Sequence, residues 1–136
     1  MSTRCLIGKE NKDKTITYIY CHHDGYPSWV GKTLLHHYTD ETKLNNLLAL
    51  GDMSSLGTEP IAKEFNCDAP KEERDRYCDS YALSGEDVPA VTIKDETEFL
   101  KQDRWQEYIY LFREGKWYIA TPDGFKELTE EMCKSK

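Results

Sequence analysis

Residues 18–38 read YIYCHHDGYPSWVGKTLLHHY, and this stretch decides how the chain folds. The pattern predicts the end of a strand over 18–21, a polar turn over 22–28 and a short helix over 29–38. The stretch also holds all four histidines of the chain. Turns between elements often carry binding groups, because a rigid frame presents them without the constraints of a core. We therefore place the candidate site at this junction.

The segments around this stretch predict a sheet built from two hairpins. Residues 3–9 and 15–21 are strand candidates joined by a polar loop, which indicates an antiparallel hairpin. Residues 107–112 and 117–120 flank a glycine-containing turn and predict a second hairpin, to which residues 125–128 add a short edge strand. The candidate turn therefore follows the second strand of the first hairpin.

Three helix signals accompany the hairpins. Ser28 is the predicted N-cap of the first helix, Thr39 or Asp40 caps the second, and Asp95 with Glu98 forms a capping box for the third. Together these elements predict an α+β fold. We expect an antiparallel sheet of two hairpins, with about four or five strands, and two or three short helices on one face.

The length of the chain predicts one domain. With 136 residues there is room for one ordinary core, so we expect residues 1–136 to form a single domain. Residues 58–90 contain scattered prolines and few apolar side chains, which predicts an irregular or mobile connection. Within it, residues 70–77 favour a helical turn or two that exposes Arg74 and Arg76.

Composition narrows the classes of partner. The net charge of -7 disfavours direct nucleic-acid binding, and the acidic residues are interleaved with basic ones as on a solvated surface. No run approaches the ~20 apolar residues of a membrane span, and the N-terminus lacks the pattern of a signal peptide, which predicts a cytoplasmic protein. The five cysteines have irregular spacing, and we expect them to be free thiols.

Residues 25–33 are similar to a phosphate-binding loop without matching it. A P-loop has one residue fewer between its first glycine and its Gly-Lys-Thr than this chain has between Gly25 and Gly31. Pro27 also lacks the amide hydrogen that such a loop needs. This argues against a nucleoside triphosphatase. A weaker possibility is that the first amides of the helix, with Lys32, hold an anion or phosphate group.

The histidines and Cys21 do not form a complete metal or catalytic motif. Cys21-His22 and His36-His37 are adjacent pairs that cannot easily point at one ion, and the spacing of the cysteines matches no zinc module. No orienting group or oxyanion hole can be identified for Cys21 as a nucleophile. A favourable interaction with the helix dipole explains the second histidine pair. We therefore expect no metal, no cofactor and no catalytic residue.

Rings and cations define a predicted ligand-binding site instead. Aromatic rings around the bend offer a surface on which a planar base can stack. Arg74 and Arg76 offer guanidinium forks for a phosphate or carboxylate, although pairing with Glu72, Glu73 and Asp75 is the alternative. The predicted ligand-binding residues are His22, His23, Asp24, Tyr26, Trp29, Lys32, Arg74 and Arg76.

A set of short motifs in the first half of the chain carries a family resemblance. The motifs are Ser2-Thr3-Arg4, Leu6-Ile7-Gly8, Tyr20-Cys21-His22, Asp24-Gly25-Tyr26-Pro27, Val30-Gly31, Leu34-Leu35, His37-Tyr38 and Ser54-Ser55-Leu56-Gly57. They resemble a family of small, mostly uncharacterised proteins of bacteriophages and prophages, over about the first 57 residues. His23 and Ser28-Trp29 depart from the family pattern. The resemblance implies a setting and supplies no mechanism.

That setting leads to a functional expectation. We expect a non-enzymatic phage-type binding protein, homo-oligomeric in the host cytoplasm, that antagonises a host defence system by sequestering a nucleotide-like or phosphorylated small ligand. One alternative is a protein–protein inhibitor that uses its acidic surface against a host defence or nucleic-acid-processing enzyme. Another is a small nucleotide hydrolase with His22 or His23 as general base.

Overall fold

The computed structural model describes residues 3–63, 68–86, 88–102 and 106–134, and within them a mixed sheet is covered by helices. The strands are β1 (Cys5–Glu10), β2 (Ile16–Cys21), β3 (Met53–Ser55), β4 (Asp79–Ser80), β5 (Val91–Ile93), β6 (Tyr108–Arg113), β7 (Lys116–Thr121) and β8 (Gly124–Glu127). The α-helices are α1 (Lys32–His37), α2 (Glu41–Leu48), α3 (Lys71–Arg74) and α4 (Glu96–Leu100). A π-helical turn covers Pro27–Gly31, and 3₁₀ turns cover Tyr81–Ser84 and Met132–Lys134.

The α+β class and both hairpins are confirmed, but the predicted strand number and the purely antiparallel sheet are wrong. The order is β4-β3-β2-β1-β6-β7-β8, with β5 also paired to β2, which makes eight strands in the described residues. The two hairpins join through β1 and β6, which run parallel and place Cys5 beside Tyr108. Their long connection permits a parallel crossover, which a tight turn would not. The additional strands β3, β4 and β5 have two or three residues each, too few for an alternating pattern.

The described residues form four α-helices, and helices cover both faces of the sheet, so the prediction of two or three helices on one face is also wrong. Ile7 and Ile19 belong to a buried cluster that includes the apolar side chains of α1 and α2. Leu6 and Tyr18 point the other way and pack with Phe99 of α4. Successive residues of a strand face opposite sides, so an interior strand with apolar residues throughout requires cover on both.

Two of the three predicted helix starts are confirmed. Asp40 accepts a hydrogen bond from the amide of Thr42 at 3.1 Å, and Asp95 accepts one from the amide of Glu98 at 3.0 Å. Ser28 is not an N-cap, because the helical conformation already begins at Pro27. Proline is favoured at a first helical position, since it has no amide hydrogen to leave unpaired.

The described part of residues 58–90 contains α3, β4 and a 3₁₀ turn. Backbone hydrogen bonds attach it to its own first residues: the amide of Thr58 donates to the carbonyl of Asp75 at 2.9 Å, and that of Cys78 to Ile61 at 2.9 Å. This segment therefore folds back beside the residues that follow β3. No helix in the described ranges is long and apolar enough to span a bilayer.

Candidate functional site

The two histidines after β2 continue the sheet. The amide of His22 donates to the carbonyl of Met53 at 3.1 Å, and that of His23 donates to Ser54 at 2.9 Å. The imidazole of His22 lies 2.7 Å from the hydroxyl of Tyr20, and its ring meets that of His23 edge-on at 4.6 Å. Burial, followed by the nearby His23 and Arg4, lowers the pKa of His22. His22 is therefore a neutral, hydrogen-bonded ring at neutral pH.

The bend after these histidines is fixed by Thr3, which precedes β1, and by Tyr110 of β6. Asp24 has a φ of 58°, a left-handed conformation that aspartate tolerates better than most residues. The amide of Gly25 donates to the carbonyl of Thr3 at 2.8 Å, and the hydroxyl of Tyr110 donates to the carbonyl of Gly25 at 2.7 Å. Gly25 is buried while Asp24 is exposed. The bend therefore exposes Asp24 to solvent, while hydrogen bonds to Thr3 and Tyr110 hold the backbone of Gly25 in place.

The first amides of the helix already have partners. Those of Trp29, Val30 and Gly31 donate to the carbonyls of Tyr26, Asp24 and Tyr26 at 3.0, 3.2 and 3.5 Å. The bond from Gly31 to Tyr26 spans five residues, which is the spacing of a π-helix. These three amides are therefore already paired, and anion binding at the helix start together with Lys32 stays a prediction.

Side chains do form a cleft along the π-helical turn and α1. It has a volume of about 220 Å³ and lies between these helical turns and the segment that contains α3. On the helical side it is lined by Ser28, Trp29, Lys32, Thr33, His36 and His37, and on the other side by Leu56, Thr58, Lys71 and Asp75. Positions 29, 32, 33 and 36 share one face of a helix, because their spacings are three and four residues.

Two lysines give this cleft a cationic character. The ammonium of Lys71 lies 5.3 Å from the centre of the Trp29 ring and 2.6 Å from a carboxylate oxygen of Asp75. Lys32 is exposed and forms no ion pair with any residue the structure describes. A cation over an indole ring is favourable. The side chain of Lys71 therefore reaches from α3 across the cleft to the ring of Trp29.

Two histidines occupy the far end of the cleft. His36 bonds through Nε2 to the carboxylate of Glu130, which brings the C-terminal segment against α1. The pKa of His37 is lowered by burial, then by Lys43 and His36, while Glu59 opposes the shift. His37 is therefore neutral at neutral pH and can donate or accept a hydrogen bond there.

The predicted ligand-binding residues separate into two groups. Trp29 and Lys32 line the cleft, whereas His22, His23, Asp24 and Tyr26 do not. The hydroxyl of Tyr26 donates to the carboxylate of Asp24 at 3.2 Å.

The two predicted arginines do not line the cleft in the described structure. Arg76 is exposed, its guanidinium lies 5.7 Å from the centre of the Tyr77 ring, and its charge helps to lower the pKa of Glu59. Arg74 closes α3, but its side chain falls outside the described part of the chain.

The sequence did not identify Lys71, His36 and His37 as lining residues. The histidines had a usable signal, because His36 follows Lys32 by one helical turn. Lys71 had none, since its position opposite Trp29 depends on how residues 58–77 fold back.

The cysteines and histidines form no metal site within the described residues. No group of three or more His, Cys, Asp or Glu side chains converges there. Cys5, Cys21, Cys78 and Cys133 are free and buried, and Cys67 lies outside the described residues.

Comparisons of the chain with protein-family models, with curated proteins and with solved structures find no match.

Proposed function

We propose that this chain is a non-enzymatic binding protein of bacteriophage type, which antagonises a host defence system by sequestering a small phosphorylated or nucleotide-like ligand. The observation that carries the proposal is the cleft beside Trp29. The resemblance of the first half of the chain to phage proteins supplies the setting.

The charge of the cleft supports an anionic ligand. The chain has a net charge of -7, yet the cleft presents Lys32 and Lys71 against the single carboxylate of Asp75. Lys71 is already paired with Asp75, so Lys32 is the cation that a phosphate group reaches first. An ammonium group binds phosphate as a point charge with several rotatable donors.

The remaining lining groups suit the other parts of such a ligand. Ser28, Thr33 and Thr58 add hydroxyl groups, which donate and accept hydrogen bonds. Trp29 and Leu56 add apolar surface for a ring. The volume of about 220 Å³ is below the ~300–1,000 Å³ of sites for drug-sized molecules, which limits the enclosed part of the ligand to mononucleotide size at most.

Native mass spectrometry of the full chain purified from infected cells is the first test. It reports the subunit number, which we propose to be greater than one, together with any molecule the protein retains. Denaturation then releases that molecule for analysis. A sequestering protein returns it intact, whereas a hydrolase with a histidine base returns fragments. Co-purification of a host protein with an empty cleft would favour the inhibitor alternative.

Paired lysine substitutions test the cleft itself. Adenosine monophosphate and inorganic phosphate serve as probes in titrations followed by Trp fluorescence. We expect K32A/K71A to weaken binding of the nucleotide at least about tenfold, or ~1.4 kcal/mol. K126A is the matched control, because Lys126 is an exposed lysine of β8 that does not line the cleft. Equal binding by both variants, or no retained molecule and no probe binding, would overturn the proposal.

A further inference from the structure

Two cysteines face each other at one end of the first hairpin. Cys5 is the first residue of β1 and Cys21 the last of β2, and they are direct partners in the antiparallel ladder. Direct partners have Cα atoms ~4.5 or ~5.5 Å apart, depending on the type of pair. Both spacings fall within the ~4.4–6.8 Å that a disulfide spans. The backbone therefore already has the geometry for a cross-strand bond.

The side chains are enclosed on the same face of the sheet. Both have 0% exposure and belong to the buried cluster beneath α1. The thiols interact with each other, and the thiol of Cys21 donates to the carbonyl of His23 at 3.6 Å. The backbone of Gly25 covers Cys5 from outside, since a Cβ at Gly25 would lie 2.8 Å from that of Cys5. The two cysteines are thus enclosed beneath the turn that leads to the cleft.

We propose that Cys5 and Cys21 form a site of reversible oxidation, at which a low-molecular-weight disulfide such as oxidised glutathione converts the two thiols into a cross-strand disulfide. This inference is independent of the proposed ligand.

The reaction is an ordinary thiol–disulfide exchange. The thiolate of one cysteine attacks a sulfur of oxidised glutathione and releases one glutathione, which takes up a proton. The second cysteine attacks the mixed disulfide and releases a second glutathione, which takes up the second proton. The protein loses two electrons and two protons, and one glutathione disulfide becomes two glutathione thiols. Burial raises the pKa of Cys5, so the exchange requires the end of the ladder to open and is slow.

The neighbouring cysteines are less suited to the same bond. Burial, with Cys21 nearby, raises the pKa of Cys78, whose sulfur accepts a hydrogen bond from the amide of Gly57 at 3.3 Å and donates to the carbonyl of Glu59 at 3.4 Å. Cys133 lies in the C-terminal 3₁₀ turn. Neither is a ladder partner of another cysteine in the described residues.

Formation of the bond would affect the turn. The disulfide ties the start of β1 to the end of β2 and closes a loop that restricts the unfolded chain. It therefore stabilises the strand end from which the bend and the π-helical turn extend. In a reducing compartment the pair stays as thiols.

The test uses the full chain equilibrated with mixtures of reduced and oxidised glutathione under native conditions, then blocked with an alkylating agent. We expect the intact mass to fall by two hydrogen atoms before alkylation, and the denatured, alkylated chain to carry two alkyl groups fewer than the reduced chain. Digestion should give one linked peptide pair that joins Cys5 to Cys21. The urea midpoint of the oxidised chain should rise, and addition of reductant should restore the original value. C133S should behave like the unmodified sequence, whereas C21S should form no intramolecular disulfide at Cys5.

Two results would overturn the inference. One is a linked pair that contains Cys78 or Cys133, and the other is alkylation of both Cys5 and Cys21 even in the most oxidising mixture. Mapping of the unmodified chain decides between these outcomes without any variant, so a folding defect of C21S would not obscure the answer. Oxidation in urea is the reference, because the unfolded chain should give several pairings and the native chain one.

Discussion

Gly25 lies against β1 with no space for a side chain. A Cβ at this position would approach the Cβ of Cys5 and the carbonyl oxygen of Thr3, both at 2.8 Å. The same residue donates its amide to Thr3, so the bend cannot move away without losing a buried hydrogen bond. We expect Gly25→Ala to lower the free energy of unfolding by about 1–3 kcal/mol, as overpacking does.

Urea denaturation followed by circular dichroism measures this change. Gly31→Ala is the comparison. The closest atom to a Cβ at position 31 is a side-chain atom of Tyr110, at 3.3 Å, so this substitution causes much less crowding. A helical glycine replaced by alanine also gains up to ~1 kcal/mol of helix propensity. Gly25→Ala should therefore be clearly the less stable variant. Equal stabilities would contradict the packing described for the bend.

Histidine titration gives a prediction with a defined sign. His22 and His37 both have pKa values lowered by burial and by nearby cationic or histidine side chains. The unfolded chain, with pKa values near ~6.5, takes up protons at these residues at a higher pH than the folded chain. The free energy of unfolding should therefore fall as the pH drops below ~6.5, until the lowered pKa values are passed.

Urea denaturation at about pH 7.5 and about pH 5.5 tests this, and H22Q/H37Q should show a smaller decrease between the two. The groups that face His22 are Tyr20, His23 and Arg4, and those that face His37 are Lys43, His36 and Glu59. The carboxylates with lowered pKa values, Asp13, Glu41 and Glu59, lose their contribution only below ~4.5, outside this window. The same decrease in the variant would show that other groups control the pH response.

At the scale of elements, Asp40 is the N-cap of α2. Its carboxylate accepts the amide of Thr42, and no other side-chain cap is present at this helix start among the described residues. We expect Asp40→Ala to lower the free energy of unfolding by about 1 kcal/mol, whereas Asp40→Asn should cost much less because the amide oxygen can still accept. Thermal unfolding of the three proteins measures the order. A large loss for Asp40→Asn would mean that the charge matters more than the hydrogen bond.

Helices and hairpins whose own residues carry a cap or turn signal could be predicted from the sequence. Short strands that form only because they pair with a distant strand could not. The hairpin β6–β7 is closed by Gly115 in a left-handed conformation, and α2 ends before Gly51, which has a φ of 78°. In contrast, β3 touches β2 through the single pair Cys21–Met53, a contact that depends on where α2 returns the chain. Short edge strands are set by their neighbours, so their own residues carry little pattern.

The same distinction explains the candidate site. Trp29 and Lys32 could be found because they belong to the turn and helix that the sequence predicts locally. Lys71 could not, since its contact with Trp29 joins segments about 40 residues apart. Composition pointed to Arg74 and Arg76 as the cations of that segment, but residue type alone cannot tell which side chain of a short helix faces the rest of the protein.

At the scale of the whole molecule, the two hairpins share both cores. Cys5 and Ile7 pack in one cluster with Tyr110, while Leu6 packs in the other with Leu111. The parallel joint between β1 and β6 lies at the centre of the sheet order. Neither hairpin therefore has a complete buried face without its partner, and a two-stranded hairpin alone is marginally stable in water.

Arg113 adds a polar connection across the same joint. Its guanidinium pairs with Glu10 at the end of β1, at 2.9 Å, and also with Glu96 at the start of α4. Glu10 has an exposed side-chain fraction of only 11%, so the pair is screened less than a surface ion pair. One residue of the C-terminal hairpin thus contacts the N-terminal hairpin and the helix that covers the second face.

We therefore expect the described sheet to unfold as one cooperative unit. Native-state hydrogen exchange in low urea, read by mass spectrometry, should give the same opening free energy for residues 5–10 and 108–113. Residues 79–84 serve as the internal comparison and should exchange earlier, because β4 is a two-residue edge strand. Protection that persists in β6–β7 after β1–β2 has exchanged would mean that the C-terminal hairpin is stable alone. In that case each hairpin would bury enough apolar surface to fold without the other. The parallel pairing of β1 with β6 would then be a docking contact between two separately folded parts.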